Sequence, residues 1–205
     1  MLVSILTPSF KQAAWLGDNL HSVACQSYPH VEHIVMDGGS TDGSVELLEA
    51  AGDSVRWRSE PDGGQADAIN KAFVESRGDI IGWINSDDAY FDCRVVKDVV
   101  RYFADNPGVD VVYGHCLQTT AEGLAIQVLW APLFSSKLLR STNVISQPAT
   151  FMRRSALGDT LLDDLFHFTM DYELWLRLDA EGRTFARIDR ITAIEAAERD
   201  LPPAA

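Results

Sequence analysis

The sequence has 205 residues, a length that fits one large domain better than two. Its 46% hydrophobic and 23% charged residues are ordinary globular values, which exclude collagen-like, disordered and disulfide-rich chains. Seventeen basic against thirty acidic residues give a formal net charge of -13, which argues against nucleic acid as a partner. An anionic ligand would therefore need a local source of positive charge, such as a divalent cation.

The cysteines and the hydropathy pattern predict the compartment. The three cysteines have unrelated spacings, with neither a CxxC pair nor a zinc-like cluster, so a reducing environment is expected. No apolar run approaches the roughly 18 residues of a membrane span, and the start lacks the basic residues of a signal peptide. We therefore expect a cytoplasmic protein without a transmembrane segment, with peripheral association at the inner face of the membrane left open.

The first half of the chain alternates between short apolar runs and segments with helical spacing. The predicted strands cover residues 2–6, 31–36, 55–58, 79–84 and 109–113. The predicted helices cover residues 12–25, 66–76 and 95–103, and a further one carries Val45, Leu47 and Leu48. Strands that alternate with helices imply parallel crossovers, so the predicted fold class is α/β with a mainly parallel sheet.

The regular alternation of predicted strands and helices ends after residue 115. Residues 117–128 have the pattern of a hairpin, and the next clear helix covers residues 171–180. Residues 191–205 are polar and alanine-rich and contain two adjacent prolines, so we expect a disordered tail there. We find no internal repeat or linker, and we expect one domain over residues 1–190.

Carboxylates follow several of the predicted strands. The second strand leads into Asp37, the third into Asp62, and the fourth into Asp87 and Asp88, each beside glycine or another small residue. In an open parallel sheet, ligands bind outside the carboxyl ends of the strands. An acidic cluster can hold a phosphate only through a divalent cation, so this pattern predicts a metal-assisted phosphate site.

The same residues also have purely structural interpretations. Asp37 can belong to a tight turn, and Asp87 and Asp88 can cap the next helix. For the adjacent pair we favour the metal, because a bound cation relieves the repulsion between like charges. The glycines after Asp37 do not fit GxGxxG, and no GxxxxGK[ST] loop occurs. His30 and His33 lack a third ligand nearby, so we expect surface residues.

Six ordered motifs resemble those of the family 2 inverting glycosyltransferases, which use nucleotide sugars. They occupy residues 4–10, 34–43, 59–64 with 67–71, 78–88, 147–154 and 171–177. The resemblance implies a GT-A fold, which is Rossmann-like, with helices on both faces of the sheet and a small mixed C-terminal part. Residues 1–115 would then form a nucleotide-binding half and residues 116–190 an acceptor-side half.

The resemblance also implies roles for residues at the nucleotide end of the site. Pro8 and Phe10 would contact the nucleoside, and Asp37 would recognise the base or the ribose. The residues implied to line the nucleotide and sugar pocket are Gly64, Asp67, Asn70 and Lys71.

At the reacting end, Asn85, Ser86 and Asp87 occupy the family's DxD position. By the resemblance, Asp87 would coordinate Mg²⁺ or Mn²⁺ on the diphosphate, while Asn85 and Ser86 would contact the substrate. Asp171, at the start of a helix, would be the general base, although a simple helix cap is its structural alternative. The residues implied to lie near the donor sugar or the acceptor are Gln147 and Trp175.

The implied activity is a metal-dependent hexosyl transfer. The donor would be a UDP, GDP or dTDP sugar, and the acceptor a hydroxyl of a saccharide or of a lipid-linked molecule, in envelope or exopolysaccharide synthesis. The metal would neutralise the leaving diphosphate, and the carboxylate would remove the proton of the acceptor hydroxyl.

Two other functions stay open. A sugar nucleotidyltransferase would carry a glycine-rich basic loop after the first strand, and residues 7–11 contain no glycine. A non-catalytic nucleotide-sugar binding module would fit Asn85 in place of the first aspartate of DxD.

Overall fold

The computed structural model describes residues 1–166 and 168–196, in which a sheet of nine strands runs through the molecule. The strands are β1 (Val3–Ser9), β2 (Val31–Asp37), β3 (Arg56–Ser59), β4 (Ile80–Trp83), β5 (Ala89–Tyr90), β6 (Val111–Thr119), β7 (Ala125–Leu129), β8 (Thr150–Arg153) and β9 (Phe185–Ala196). The helices are α1 (Ala13–Ala24), α2 (Ser44–Ala51), α3 (Gln65–Glu75), α4 (Val95–Asp105), α5 (Ser136–Leu139) and α6 (Met170–Ala180). Within the described residues, none of these helices is long and apolar enough to cross a membrane.

The strand order is β3-β2-β1-β4-β8-β6-β9-β5, with β7 paired to β6. The first four predicted strands are parallel neighbours, β3-β2-β1-β4, as the sequence indicated. β6 and β9 are also parallel to each other, whereas β5, β7 and β8 run against their neighbours. The predicted α/β class with a mainly parallel sheet is confirmed, and the carboxyl ends of β1 to β4 lie at one edge.

Alternate residues of the strands face opposite sides of the sheet. On β4, Ile80 packs against the apolar residues of α4, whereas Ile81 packs in a second core with α3 and α6. Val111 and Val112 of β6 divide in the same way. Because helices cover both faces, these strands are apolar at nearly every position, which is why their sequence shows no alternation.

Two predicted elements differ in the structure. The fifth predicted strand, now β6, extends to Thr119, and the unpredicted β8 lies between it and β4, antiparallel to both. β8 has only four residues, too few to show a period. Residues 191–196 were expected to be disordered, but they complete β9, where Ala193 pairs with Cys116 of β6 and is fully buried. Residues 197–205 of the predicted tail lie outside the described residues.

The expectation for His33 was wrong. His30 is exposed, but His33 is buried, and its Nε2 lies 3.0 Å from Thr7 Oγ1 on the neighbouring strand. β2 pairs with β1 on one side and with β3 on the other, so His33 lies on an inner strand. Burial lowers the pKa of His33 to about 3.

Candidate active site

Two cavities meet where the parallel strands end. The loop cavity, of about 590 Å³, is enclosed by the loops that follow β1, β2, β3 and β4. The hairpin cavity, of about 770 Å³, lies between the turn after β4, the segment after β7 and the start of α6. Gln65, Asn85 and Asp87 line both cavities, so the two spaces are joined at these side chains.

The structure brings most of the candidate residues to these cavities. Those lining the loop cavity are Pro8, Phe10, Gly64, Asn85, Ser86 and Asp87. Those lining the hairpin cavity are Asn85, Asp87, Gln147 and Asp171. The remaining candidates, Asp37, Asp67, Asn70, Lys71 and Trp175, line neither.

One wall of the loop cavity combines an aromatic ring with a carboxylate. Gly38 lies between the ring and the carboxylate. A Cβ at this position would lie 3.0 Å from Phe10 Cδ2 and 3.1 Å from Asp62 Oδ2. Asp62 is held by the main-chain amide of Gly64, which donates to Asp62 Oδ1 at 2.9 Å. A flat apolar surface beside a hydrogen-bond acceptor suits a nucleobase.

Asp37 lines neither cavity, and its carboxylate is engaged within the protein. It is buried, and its carboxylate accepts four hydrogen bonds from the protein: from the amides of Gly39 at 3.1 Å and Ser40 at 2.8 Å, and from the hydroxyls of Ser40 at 2.6 Å and Ser59 at 2.6 Å. These bonds fix the loop after β2 against the end of β3. Asp62, which the resemblance did not single out, is the carboxylate that lines the cavity.

The three polar candidates on α3 hold loops in place. Asp67 accepts from the Gly63 amide at 2.8 Å and pairs with Lys71 at 3.0 Å. Asn70 bonds to both main-chain groups of Leu162, each at 2.9 Å. Their contribution to the site is therefore indirect, through the loop that carries Asp62 and the loop that precedes α6.

Asn85 lies at the centre of a hydrogen-bond network between the cavities. Its Oδ1 accepts from Gln65 Nε2 at 2.7 Å and from Trp83 Nε1 at 2.9 Å, and its Nδ2 donates to Gln147 Oε1 at 3.0 Å. Gln147 in turn donates to the Trp83 carbonyl. Both acceptor sites of the Asn85 oxygen are used, so this residue positions its neighbours and has no lone pair left for a cation.

The two adjacent aspartates differ in exposure. Asp87 is half-buried and faces both cavities, whereas Asp88 is buried. Burial, with the charges of Asp87 and Glu195 adding to it, raises the pKa of Asp88 well above its usual value. Asp87 is therefore the carboxylate of this turn that presents a charge to the joined cavities.

A divalent cation would fit beside Asp87 only together with a substrate. In the described part of the chain, no three His, Cys, Asp or Glu side chains are arranged to hold a metal ion. Mg²⁺ at nucleotide sites typically takes one or two carboxylates plus phosphate oxygens and water. Of residues 1–166 and 168–196, no Lys, Arg or His lines either cavity, so a diphosphate would find no other positive charge there.

Asp171 is the carboxylate at the far side of the hairpin cavity. It is half-buried, and its Oδ2 accepts from Asn143 Nδ2 at 2.9 Å. Burial raises the pKa of Asp171, although the Asn143 bond works in the opposite direction. The N-cap position of α6 is Thr169, whose side chain makes no capping bond, and Asp171 lies in the first turn of the helix, where its carboxylate also accepts from the main-chain amide of Tyr172.

Trp175 lies one helical turn beyond Asp171 and belongs to the core. It is fully buried with Leu174 and Leu178 and lines neither cavity. The residues of the hairpin cavity that sequence reasoning missed include Gln65, Trp130 and Glu195. Gln65 directly follows the Asp62-Gly63-Gly64 motif, which was its signal, whereas Trp130 directly follows β7 and Glu195 lies on β9, both outside every motif.

Comparisons with known proteins agree on one family. The family model described as "Glycosyl transferase family 2" matches residues 4–161. An uncharacterized glycosyltransferase of Mycobacterium tuberculosis, Rv1514c, is 32% identical over 178 residues, which cover 85% of this chain and 68% of the relative. The putative teichuronic acid biosynthesis glycosyltransferase TuaG of Bacillus subtilis is 36% identical over 103 residues, covering 48% of this chain and 40% of TuaG.

Solved structures share the fold at lower identity. TarS 1-349 of S. aureus in complex with UDP-GlcNAc superposes with a TM-score of 0.79 at 17% identity, over 98% of this chain and 60% of that one. The mannosyltransferase PcManGT from Pyrobaculum calidifontis, in complex with GDP-Man and Mn²⁺, gives a TM-score of 0.71 at 17% identity, over 97% of this chain and 57% of that one. The predicted GT-A fold is thereby confirmed, and the chain spans about three fifths of each of these structures.

Proposed function

The chain belongs to glycosyl transferase family 2, and we propose that it transfers a hexosyl group from a nucleoside-diphosphate sugar to an acceptor hydroxyl with inversion at the anomeric carbon. The observation that carries this proposal is the junction of the two cavities. One end offers a nucleobase wall at Phe10 and Asp62, and the other offers a carboxylate with a raised pKa, Asp171. Asp87 lies where they meet.

The structural neighbours support a nucleotide-sugar donor. TarS has been solved with UDP and with UDP-GlcNAc, and PcManGT with GDP-Man. In this chain the base would lie against Phe10 beside Asp62, and the diphosphate would extend toward Asp87. The relative TuaG, putatively of teichuronic acid biosynthesis, favours a role in making an envelope or exported polysaccharide.

Asp87 would hold Mg²⁺ or Mn²⁺ on the diphosphate. When bound, the cation would neutralise charge on the leaving group, a Lewis-acid contribution of several kcal/mol. Asp87 itself would fix the position of that charge, and the hydrogen bonds of Asn85 hold the side chains of Gln65 and Gln147 in place.

Asp171 would act as the general base. In the inverting step, the acceptor oxygen forms a bond to the anomeric carbon as the bond from that carbon to the diphosphate breaks, and the electron pair leaves with the nucleoside diphosphate. The hydroxyl proton passes to the Asp171 carboxylate, a transfer typically worth about 10²- to 10⁴-fold in rate. Asp171 lines the hairpin cavity and not the loop cavity, so attack would come from the side away from the departing diphosphate.

The proposal is tested by a screen of donors. UDP-, GDP- and dTDP-hexoses are titrated calorimetrically with Mn²⁺, with Mg²⁺ and with EDTA, and hydrolysis of each donor is followed. We expect one nucleotide to bind at least about tenfold more tightly with metal than with EDTA, since nothing else neutralises the diphosphate. We also expect slow release of the sugar. If the donor binds equally tightly with metal and with EDTA, the proposed role of the metal is wrong. Binding of a donor without any hydrolysis would indicate a non-catalytic binding module.

The matched variants are Asp87→Asn and Asp53→Asn. Asp53 is exposed on the turn after α2 and lines neither cavity, so its replacement changes net charge by the same amount without touching the site. Asp87→Asn should abolish most of the metal-dependent gain in affinity, and Asp53→Asn should retain it.

A further inference from the structure

The hairpin cavity is edged by two exposed aromatic side chains that the family resemblance does not use. Trp130, just beyond β7, is 71% exposed, and Phe168, just before α6, is 97% exposed. Both line the cavity that contains Asp171. Large aromatic surfaces left open at a cavity mark a binding surface more often than chance packing.

The ring of Trp130 is fixed although it is exposed. His115 packs edge-to-face on it, with ring centroids 4.7 Å apart and an interplanar angle of 67°. His115 is itself only 3% exposed, and its Nδ1 accepts from the amide of Ala131 at 3.1 Å. Its Nε2 lies 3.1 Å from Asp189 Oδ1. The ring contact with His115 therefore orients the indole in the absence of a ligand, which reduces the entropy cost of binding.

The surroundings of Trp130 select the kind of ligand. The same cavity is lined by polar side chains: Asn143, Ser146, Gln147, Asp171 and Glu195. A hydrocarbon chain would leave these groups without hydrogen-bond partners, which is costly. A sugar ring fits both the aromatic and the polar surface of the cavity. Its C–H face packs on an aromatic ring, and its hydroxyls bond to amides and carboxylates.

The charge of the cavity narrows the class further. Its ionisable lining residues are all acids: Asp87, Asp88, Asp171 and Glu195, with no Lys, Arg or His in the part of the chain that the structure describes. The positive charge of a cation on Asp87 would be balanced by the negative charge of the donor's diphosphate. Asp171 and Glu195 would remain to repel a carboxylate or phosphate on the acceptor.

We propose, on the basis of the function proposed above, that the acceptor is an uncharged saccharide whose ring packs on Trp130 and presents a hydroxyl to Asp171. Trp130 is then a residue that determines acceptor specificity, and His115 positions it. A uronate, a phosphorylated polyol and an alkyl chain are all disfavoured at this end of the cavity.

The test begins with binding, without any donor. Intrinsic fluorescence is titrated with neutral methyl glycosides and disaccharides of glucose, galactose and N-acetylglucosamine, with methyl glucuronoside and galacturonoside, and with octyl glucoside below its micelle concentration. We expect a neutral disaccharide to change the emission of the wild type but not that of Trp130→Phe. Uronates should bind at least about tenfold more weakly at low salt. Tighter binding of uronates, a response to octyl glucoside alone, or no response to any neutral sugar would overturn the proposal.

Transfer kinetics then separate this inference from the proposed function. With the donor found by screening, Trp130→Ala should raise the acceptor KM at least about tenfold, and Trp130→Phe should restore most of it. Leu133→Ala is the matched control, since Leu133 is also 71% exposed but does not line the cavity. If no donor is hydrolysed by the wild type, the proposed function fails while the fluorescence titration still decides the saccharide site. An unchanged KM in Trp130→Ala overturns the saccharide site alone.

Discussion

The side-chain amide of Asn19 donates a hydrogen bond of 2.8 Å to the main-chain carbonyl of Asn85. The same nitrogen reaches the carbonyl of Asp88 at 3.1 Å, so one buried side chain of α1 spans the turn that carries Asp87. One turn further along α1, the hydroxyl of Ser22 accepts from the amide of Tyr90. The position of Asp87 therefore depends on α1, which begins directly after Gln12 at the edge of the loop cavity.

We predict that Asn19→Leu weakens both the fold and the site. Two buried carbonyls lose their donor, which should lower the free energy of unfolding by about 2 kcal/mol. The turn should also loosen, so that nucleotide affinity with Mn²⁺ falls at least about tenfold. Asn106→Leu is the control, because it removes a 2.8 Å bond to Tyr102 at the end of α4, far along the chain from the turn. Urea unfolding and calorimetry measure the two effects. Wild-type affinity in a folded Asn19→Leu protein would show that α1 does not position Asp87.

A second prediction separates Asp37 from Asp62. Asp37→Asn loses part of a four-bond network and should lower the free energy of unfolding by about 2 kcal/mol. Asp62→Asn keeps an oxygen for the Gly64 amide, so stability should stay within about 0.5 kcal/mol of wild type. Its nucleotide affinity, however, should fall about tenfold or more as the charged acceptor in the cavity is lost. The opposite pattern in calorimetry and urea unfolding would return the base-recognition role to Asp37.

These two aspartates show what a sequence can and cannot predict. Both stand beside glycines after predicted strands, and that pattern predicts carboxylates at the carboxyl edge of the sheet, where Asp62 lines the loop cavity. Three of the four bonds to Asp37 come from Gly39 and Ser40 in its own loop, whereas the fourth, from Ser59, joins separate strands. That last contact has no local trace in the sequence.

The second half of the chain was harder to predict for the same reason. β9 depends on its pairing with β6, and its residues 191–196 run directly into an alanine-rich segment with two prolines, so the sequence does not mark where the strand ends. Trp130 directly follows β7 and lies between motifs, so only the folded chain brings it to the cavity of Asp171.

A third prediction concerns stability and pH. His33 has a pKa of about 3 when folded, because it is buried, and would titrate near about 6.5 when unfolded. The unfolded chain therefore binds the proton more readily, so the stabilisation is complete above about pH 6.5 and is lost as pH falls toward the folded value. Between about pH 6.5 and 4.5 this loss amounts to roughly 2 kcal/mol.

The measurement is urea unfolding at several pH values in wild type and His33→Gln. Glutamine offers Thr7 an amide partner but does not titrate, so its stability should fall less steeply with acid. The carboxylates of the protein contribute equally to both curves and cancel in the difference. Parallel curves would mean that His33 is not the group responsible.

The last prediction concerns the general base, Asp171. Asp171→Asn keeps an oxygen for Asn143 and does not disturb the N-cap at Thr169, so folding and donor affinity should remain near wild type. Transfer should fall at least about 100-fold, because an amide cannot take the hydroxyl proton. Glu173→Gln is the matched control. Glu173 lies two residues further along α6, pairs with Arg177 at 2.9 Å, and does not line the cavity.

The pH dependence distinguishes a base from a merely structural carboxylate. Burial raises the pKa of Asp171 above the usual aspartate value, so the transfer rate should fall as acid protonates it, with a midpoint above that value. The Asn143 bond favours the charged form, and Asn143→Ala should therefore move this midpoint to higher pH. A structural carboxylate would lower the rate in Asp171→Asn without any such movement in Asn143→Ala. Transfer within a fewfold of wild type in Asp171→Asn would instead point to Glu195, the other carboxylate at this end of the cavity, whose pKa burial also raises.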